Sequence, residues 1–206
     1  KISINTGTSK LNSNQVLRWF KPEGIEHFKS EESGLINLPD FNGLTIDSRK
    51  INPGDIFIPL KGEKDDGHKY LEQAYSNGAS LAFTEKKHTT NISSINVSST
   101  KTFLYDLTKK FRKKLSYPFF GITGSNGKTT TKELLAHTLS GKMKVMKTQE
   151  NYNSTTGAPL SIFSFSPNAD IALIEMGANK PNEIKLICDA IKPNMGLITN
   201  IGSAHM

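Results

Sequence analysis

Between residues 119 and 130 the chain reads Phe119-Phe120-Gly121-Ile122-Thr123-Gly124-Ser125-Asn126-Gly127-Lys128-Thr129-Thr130. An uncharged, largely apolar run enters a glycine-rich turn, and a helix-forming stretch over Thr129–Leu139 follows directly. That order predicts a strand over Phe119–Thr123, a loop and a helix, the setting in which backbone N–H groups and a helix N-terminus cradle a polyphosphate. Lys128 then brings a positive charge and Thr129 a hydroxyl suited to Mg2+. The strict pattern G-x-x-x-x-G-K-S/T calls for glycine at 122, whereas here the nearest glycine is Gly121. The Gly127-Lys128-Thr129 core and its strand-to-helix setting remain. The alternative reading is a glycine-rich turn without a ligand.

Downstream, strands over Lys144–Lys147, Asp170–Met176 and Met195–Thr199 alternate with helices near Ala158–Phe163 and over about Asn182–Ile191. Such alternation gives parallel βαβ units with right-handed crossovers, and nearly all-apolar strands indicate a sheet covered on both faces. The expected fold class is α/β, with a doubly wound parallel sheet of the P-loop ATPase type over 99–206. Open sheets of this kind bind ligands at the C-terminal ends of their strands. Glu175 ends one strand, and His205 follows another after a short loop. A carboxylate beside a triphosphate suits Mg2+, which prefers hard oxygen ligands; imidazole is a less usual partner. On chemistry alone Glu175 stays open between metal ligand and solvated strand end, and His205 between ligand and loop residue.

Upstream lie strands at Leu44–Ile46 and Ile56–Leu60, separated by the turn Asn52-Pro53-Gly54-Asp55. A polar loop over Lys61–Gly67 leads to a helix from about His68 to Ser76, closed by Asn77-Gly78, and strands follow near Ser80–Thr84 and Ile95–Ser98. These make a small α/β domain over 1–98. Its first 43 residues show little periodicity beyond a short helix around Gln15–Phe20. His27, His68 and His88 have no metal-ligand spacing and read as surface or turn residues.

The 206 residues carry 26 Lys+Arg against 19 Asp+Glu, a net charge of +7, and suit one large domain or two modest ones. The densest basic run, Lys109–Lys114, shares its segment with Phe103, Leu104, Leu107, Phe111 and Leu115, a helical apolar stripe. The cations then occupy the solvated face, which argues against a nucleic-acid partner. Apolar runs are too short for a membrane span, and the N-terminal residues lack the apolar stretch of a secretory signal. Cys188 is the single cysteine, which excludes an internal disulfide and a Cys-based zinc site, so a cytoplasmic location is expected.

At these residues the chain resembles the Mur ligases of peptidoglycan synthesis. Thr123–Glu133 is similar to their ATP loop. Glu175-Met176-Gly177-Ala178-Asn179 with Glu183-Ile184, and Thr199-Asn200-Ile201-Gly202 with Ala204-His205, resemble a signature sequence and the metal-site histidine motif. Asp47-Ser48-Arg49, Pro53–Phe57, Gly62-Glu63 and Asp66-Gly67-His68 resemble the family's UDP-substrate domain. The match spans about residues 44–206.

The resemblance implies a substrate domain over 1–98 and a central domain over 99–206 that binds ATP and Mg2+. It implies substrate contacts at Ser48, Arg49, Glu63, Lys64, Asp65, Asn153, Thr155 and Thr156. ATP contacts fall on Thr123, Gly124, Ser125, Asn126, Gly127, Lys128 and Thr129. Thr129, Glu175 and His205 are implied as metal ligands, and Lys128, Glu175 and His205 as catalytic. The implied reaction is ATP-dependent amide formation through an acyl phosphate. Glu-Met-Gly-Ala-Asn points to the monomeric member that adds D-alanyl-D-alanine to UDP-N-acetylmuramoyl-tripeptide. Thr155-Thr156 looks more like the sister ligase adding the third amino acid; a folyl-polyglutamate synthase and a non-catalytic nucleotide-binding module are the further alternatives. Asn182 stands where the family shows glycine, and asparagine tolerates positive φ, so the turn is expected to survive. The family's carbamylated lysine, adenine pocket and C-terminal domain would lie past residue 206. The second domain is therefore expected to be truncated, and the chain alone unable to complete ligation.

Overall fold

Short apolar runs separated by Gly, Pro and Asn turns build the first sheet. Its strands are β1 (Ile2–Ser3), β2 (Gly43–Thr45), β3 (Ile56–Phe57), β4 (Leu81–Thr84) and β5 (Ser94–Asn96), in that spatial order. β1 is antiparallel to β2, and the remaining pairs are parallel. The computed structural model describes residues 2–3, 43–62, 65–149 and 152–202; the helix expected around Gln15–Phe20 lies outside them. The chain forms two compact units, Lys1–Leu107 and Thr108–Met206.

In the first unit α1 (Leu71–Ser76) lays Leu71 and Ala74 against Phe57, Ala79, Ala82 and Ile92. The helix expected from His68 begins instead as a 3-10 turn over Gly67–Tyr70, because Asp66 caps it. Asp66 Oδ1 accepts the His68 N–H at 3.0 Å and lies 2.6 Å from His68 Nδ1. His68 Nε2 accepts the N–H of Glu85 at 3.1 Å, which places the proton of the neutral ring on Nδ1, facing Asp66. Glu85 Oε1 in turn accepts the N–H and hydroxyl of Thr100 at the start of α2 (Thr100–Arg112). Asp66, His68 and Glu85 thus bracket the polar loop against the sheet edge, so His68 is a structural clasp rather than a loose surface residue.

The basic segment is the amphipathic helix that its stripe requires. Phe103, Leu104 and Leu107 are buried in the first unit, where Phe103 stacks on Phe83 at 4.1 Å. Phe111 and Leu115 are buried in the second, Phe111 against Phe163; Lys113 and Lys114, past the helix end, are exposed, but Lys109, Lys110 and Arg112 are half-buried, so not all the cations lie on a solvated face as expected.

In the second unit β6 (Phe119–Thr123), α3 (Lys128–Ser140), β7 (Val145–Lys147), α4 (Gly157–Ser161), β8 (Ile171–Glu175), α5 (Glu183–Ile191) and β9 (Met195–Ile198) succeed one another. The sheet order is β7-β8-β6-β9, all parallel. The chain leaves β6 toward one side through α3 and returns on its other side through α5, so every C-terminal strand end meets at one edge. Ile122, Ile171 and Leu173 face Ala136 of α3. On the opposite face a Cβ at Gly121 would stand 2.7 Å from Met176 Cε. The glycine at 121 therefore serves sheet packing and not the loop.

Arg112 ties the ends of this unit together. Its guanidinium donates to the carbonyls of Ile191 and Leu115 and to Asn194 Oδ1, and lies 3.8 Å from the centre of the Phe119 ring. β9 differs from the other strands in that Met195–Ile198 are all exposed.

Asn182 precedes α5 at φ 69°, the left-handed backbone expected of it. That conformation costs an ordinary L-residue about 1–2 kcal/mol. Asn182→Gly should match or exceed the parent in urea unfolding, and Asn182→Val should lose about 1–2 kcal/mol. A second expectation concerns acid. The N–H of His68, and then its ring, hold the Asp66 carboxyl below the ordinary carboxylate range. A carboxylate lowered on folding stabilises above its ordinary pKa and loses that contribution as pH falls through the lowered value. The Asp66 cap on the His68 N–H should hold at pH 5–7 and open only below about pH 4, read from the amide NMR shift of His68.

Candidate functional site

The loop between β6 and α3 is shaped by two glycines at positive φ, Gly124 at 136° and Gly127 at 77°. A Cβ on Gly124 would lie 2.1 Å from Thr199 Oγ1 and 3.0 Å from the Asn200 nitrogen. Only glycine lets the loop approach the segment after β9 so closely. Hydrogen bonds fasten the two together. Ser125 N–H donates to the Asn200 carbonyl at 3.1 Å, and Asn126 N–H to Asn200 Oδ1 at 2.9 Å. Thr199 N–H donates to Thr123 O, Thr199 Oγ1 to Asn126 O, and the Ser125 hydroxyl exchanges two bonds with the Gly202 backbone.

Ser125 and Asn126 therefore spend their N–H groups on bracing. Donors remain at the start of the helix: the first intrahelical bond runs from Thr131 N–H to Gly127 O, so Lys128, Thr129 and Thr130 have no intrahelical acceptor. Together with the helix dipole they form an anion site. Lys128 curls back over it, Nζ donating to the carbonyls of Gly124 at 2.6 Å and Ser125 at 3.2 Å.

Glu175 reaches the same place from β8. Alternation along the strand puts Ile171, Leu173 and Glu175 on the face covered by α3, and register sets Glu175 beside Ile122. Its Oε1 accepts from Thr129 Oγ1 and from Asn153 Nδ2, each at 3.0 Å. Its Oε2 lies 3.3 Å from Lys132 Nζ and has no hydrogen-bond partner among the described residues. Glu175 and Lys132 are both buried. Lys132 Nζ also donates to Thr148 O at 2.8 Å, and Thr148 Oγ1 accepts the Glu175 N–H at 2.9 Å. Removing one partner of such a buried pair costs about 3–5 kcal/mol. Beyond it, Glu133 pairs with Lys147, which holds the Glu133 carboxyl below its ordinary range.

The Thr129 hydroxyl and the Glu175 carboxylate are hard oxygen donors of the kind that fits Mg2+. No group of three or more His, Cys, Asp or Glu able to hold a metal occurs among the described residues. A cation here would rely on Glu175, Thr129 and oxygens brought by a ligand, as is usual for Mg2+ with phosphates.

Thr123, the loop residues, Lys128, Thr129, Asn153 and Glu175 thus converge on one edge. Asn153, expected at the substrate, donates Nδ2 to Glu175 Oε1, and its carbonyl accepts the Gly177 N–H at 2.7 Å. Thr155 and Thr156 are half-buried in the same turn, where Thr156 Oγ1 lies 3.3 Å from Ser154 Oγ. Ser48, Arg49 and Asp65 belong to the first unit. Ser48 is buried and donates to Gln73 Oε1 at 2.7 Å. The exposed Arg49 forks onto Asp47 and holds its carboxyl below the usual range. Asp65 pairs with Lys69 and accepts the Tyr70 hydroxyl. Glu63, Lys64 and His205 lie outside the described residues.

Sequence reasoning did not single out Thr148, and it placed Lys132, Thr199 and Asn200 within motifs without giving them a role of their own. Lys132 had a readable signal, since it stands three residues after Thr129 on one helix face. Thr148 follows β7 and nothing local marks it; Asn200, after β9, stands in the histidine motif, but its bonds to the loop are set by the fold.

Comparison with known proteins adds to this geometry. Residues 122–206 match the family model for the Mur ligase middle domain, and residues 40–112 that for the Mur ligase family, catalytic domain. UDP-N-acetylmuramoyl-tripeptide--D-alanyl-D-alanine ligase of Bacillus subtilis is 38% identical over 168 residues, covering 80% of this chain and 37% of the relative. The ligase of the same name from Escherichia coli is 32% identical, over 80% of this chain and 36% of its own. A crystal structure of MurF from Acinetobacter baumannii superposes with a TM-score of 0.81 at 29% identity, over 94% of this chain and 42% of that one. The Thermotoga maritima MurF ligase in complex with ADP gives 0.71 at 36% identity, over 79% of this chain and 38% of its own. The chain spans well under half the length of the curated relatives it matches. Two adjoining matches to one family, on an anion site built at the end of a doubly wound parallel sheet, lead to one conclusion: the chain belongs to the Mur ligase family.

Proposed function

We propose that this chain supplies the nucleotide-binding part and the UDP-substrate part of an ATP-dependent amide ligase, which joins D-alanyl-D-alanine to UDP-N-acetylmuramoyl-tripeptide. The observation that carries the reading is the meeting of Thr129, Asn153 and Glu175 beside a helix N-terminus roofed by Lys128. The names of the relatives favour the dipeptide-adding reaction over addition of the third amino acid.

The residues divide the work. The N–H groups at the start of α3 orient the phosphates, and Lys128 Nζ exchanges the carbonyls of Gly124 and Ser125 for phosphate oxygens. Thr129 and Glu175, with His205 as the third ligand, would hold Mg2+. When bound, the ion offsets the repulsion between a carboxylate and a triphosphate and stabilises charge on the transferring group. The tripeptide's terminal carboxylate oxygen bonds to the γ-phosphorus as the bond to ADP breaks. The dipeptide's ammonium loses one proton to solvent, and its nitrogen then bonds to the acyl carbon as the carbon–oxygen bond to phosphate breaks, phosphate leaving with the second proton. Ser48, Arg49, Glu63, Lys64 and Asp65 contact the UDP end of the substrate, and Thr155 and Thr156 its distal part. The ligase works as a cytoplasmic monomer; no helix of the described residues is long and apolar enough to cross a membrane.

Calorimetry with ADP in Mg2+ tests the nucleotide site. The protein should bind ADP, and Lys128→Ala should weaken binding about 10- to 100-fold, as loss of a charge-assisted hydrogen bond implies. No ADP binding by the unmodified protein would reject the reading. Tighter binding of the UDP-muramoyl dipeptide than of the tripeptide would instead reassign the substrate to the third-residue-adding reaction.

A further inference from the structure

Lys132 is a fully buried lysine on α3, placed by helical spacing one turn beyond Thr129, and both face Glu175. A buried ammonium is a rare and costly choice, and a lysine meant only to cover apolar surface would extend its charge to water. This one is anchored: Nζ donates to the Thr148 carbonyl, while the Thr148 hydroxyl accepts the N–H of Glu175. The ammonium is thereby fixed relative to the end of β8. The two oxygens of Glu175 become inequivalent as a result. Oε2 faces the cation, and Oε1 faces the neutral donors Thr129 and Asn153 on the side of the phosphate loop.

We propose that Lys132 is a positioning residue, which holds Glu175 by Oε2 so that Oε1 is presented, beside Thr129 Oγ1, to the divalent cation of a bound nucleotide. The proposal rests on the nucleotide-site reading given above. Lys132 Nζ also lies 3.4 Å from Glu133 Oε1, but that carboxylate is exposed and already paired with Lys147, so the influence of Lys132 on the cation runs through Glu175. Its effect must therefore appear in the dependence of nucleotide binding on Mg2+ and vanish when Glu175 has no charge to hold.

The test compares Lys132→Met, Glu175→Gln and the double variant, with ADP affinity measured in saturating Mg2+ and in EDTA. The unmodified protein should bind ADP more tightly with Mg2+. Lys132→Met should reduce that Mg2+-dependent gain at least tenfold, and the double variant should show no greater reduction than Glu175→Gln alone. An equal loss with and without Mg2+, or a Lys132→Met effect that persists in the Glu175→Gln background, would mark a merely structural lysine and overturn the proposal. If Lys132→Met alone fails to fold, the double variant, which removes both charges of the buried pair, decides against Glu175→Gln by the same criterion. ADP binding with no Mg2+ gain in the unmodified protein overturns the role of Lys132 while leaving the nucleotide site standing. No ADP binding at all overturns both.

Discussion

Glu175 is a charge at the end of an apolar strand, buried where water does not reach it, and much of the second unit is arranged by the need to pair it. Its four neighbours come from three parts of the chain. Thr129 and Lys132 come from α3, Asn153 from the turn before α4, and Thr148 from the end of β7. The same carboxylate thus fastens three connections to the sheet edge at which an anion would bind. A structural requirement and a chemical one coincide, because the group that needs partners is also the group suited to a cation.

The second organising contact is the approach of Gly124 to Thr199 and Asn200. A P-loop is usually discussed as a cradle whose own N–H groups face a ligand. Here two of those groups, on Ser125 and Asn126, are committed to Asn200, so the anion site narrows to the first turn of α3 and Lys128. The segment that follows β9 is thereby part of the loop's rigidity. This coupling explains why a glycine with φ of 136° is required at 124 while the nominal pattern position, 122, holds an isoleucine buried under α3.

The first unit solves a smaller version of the same problem. Its polar loop carries charged side chains next to a sheet edge, and the Asp66–His68–Glu85 clasp satisfies them with backbone donors. Arg49 and Asp65 are likewise engaged with neighbours, through Asp47 and through Lys69 and Tyr70. A ligand there would meet a surface whose charges are already oriented.

Much of the fold was legible because it is written in local periodicity. The apolar runs at Phe119–Thr123, Ile171–Ile174 and Met195–Ile198, the alternating helices, and the stripe Phe103-Leu104-Leu107-Phe111 each state their element within a few residues. The glycine loop and Glu175 were legible for the same reason, as was the left-handed turn at Asn182, whose side chain is one of the few that tolerate it. The remainder needed the tertiary structure. No local rule distinguishes Gly121, set by the side chain of Met176 across the sheet face, from a loop glycine. None says that Asn153 turns toward Glu175, that the ammonium of Lys132 is buried, or that Asn200 takes the donors of the phosphate loop. Sequence alone determined which elements form and which residue types could carry the chemistry, since both depend on neighbours along the chain. Which oxygen of Glu175 faces which donor was decided only by the parallel register that brings β6, β7 and β8 to one edge, because those partners are far apart in sequence and meet only when the sheet closes.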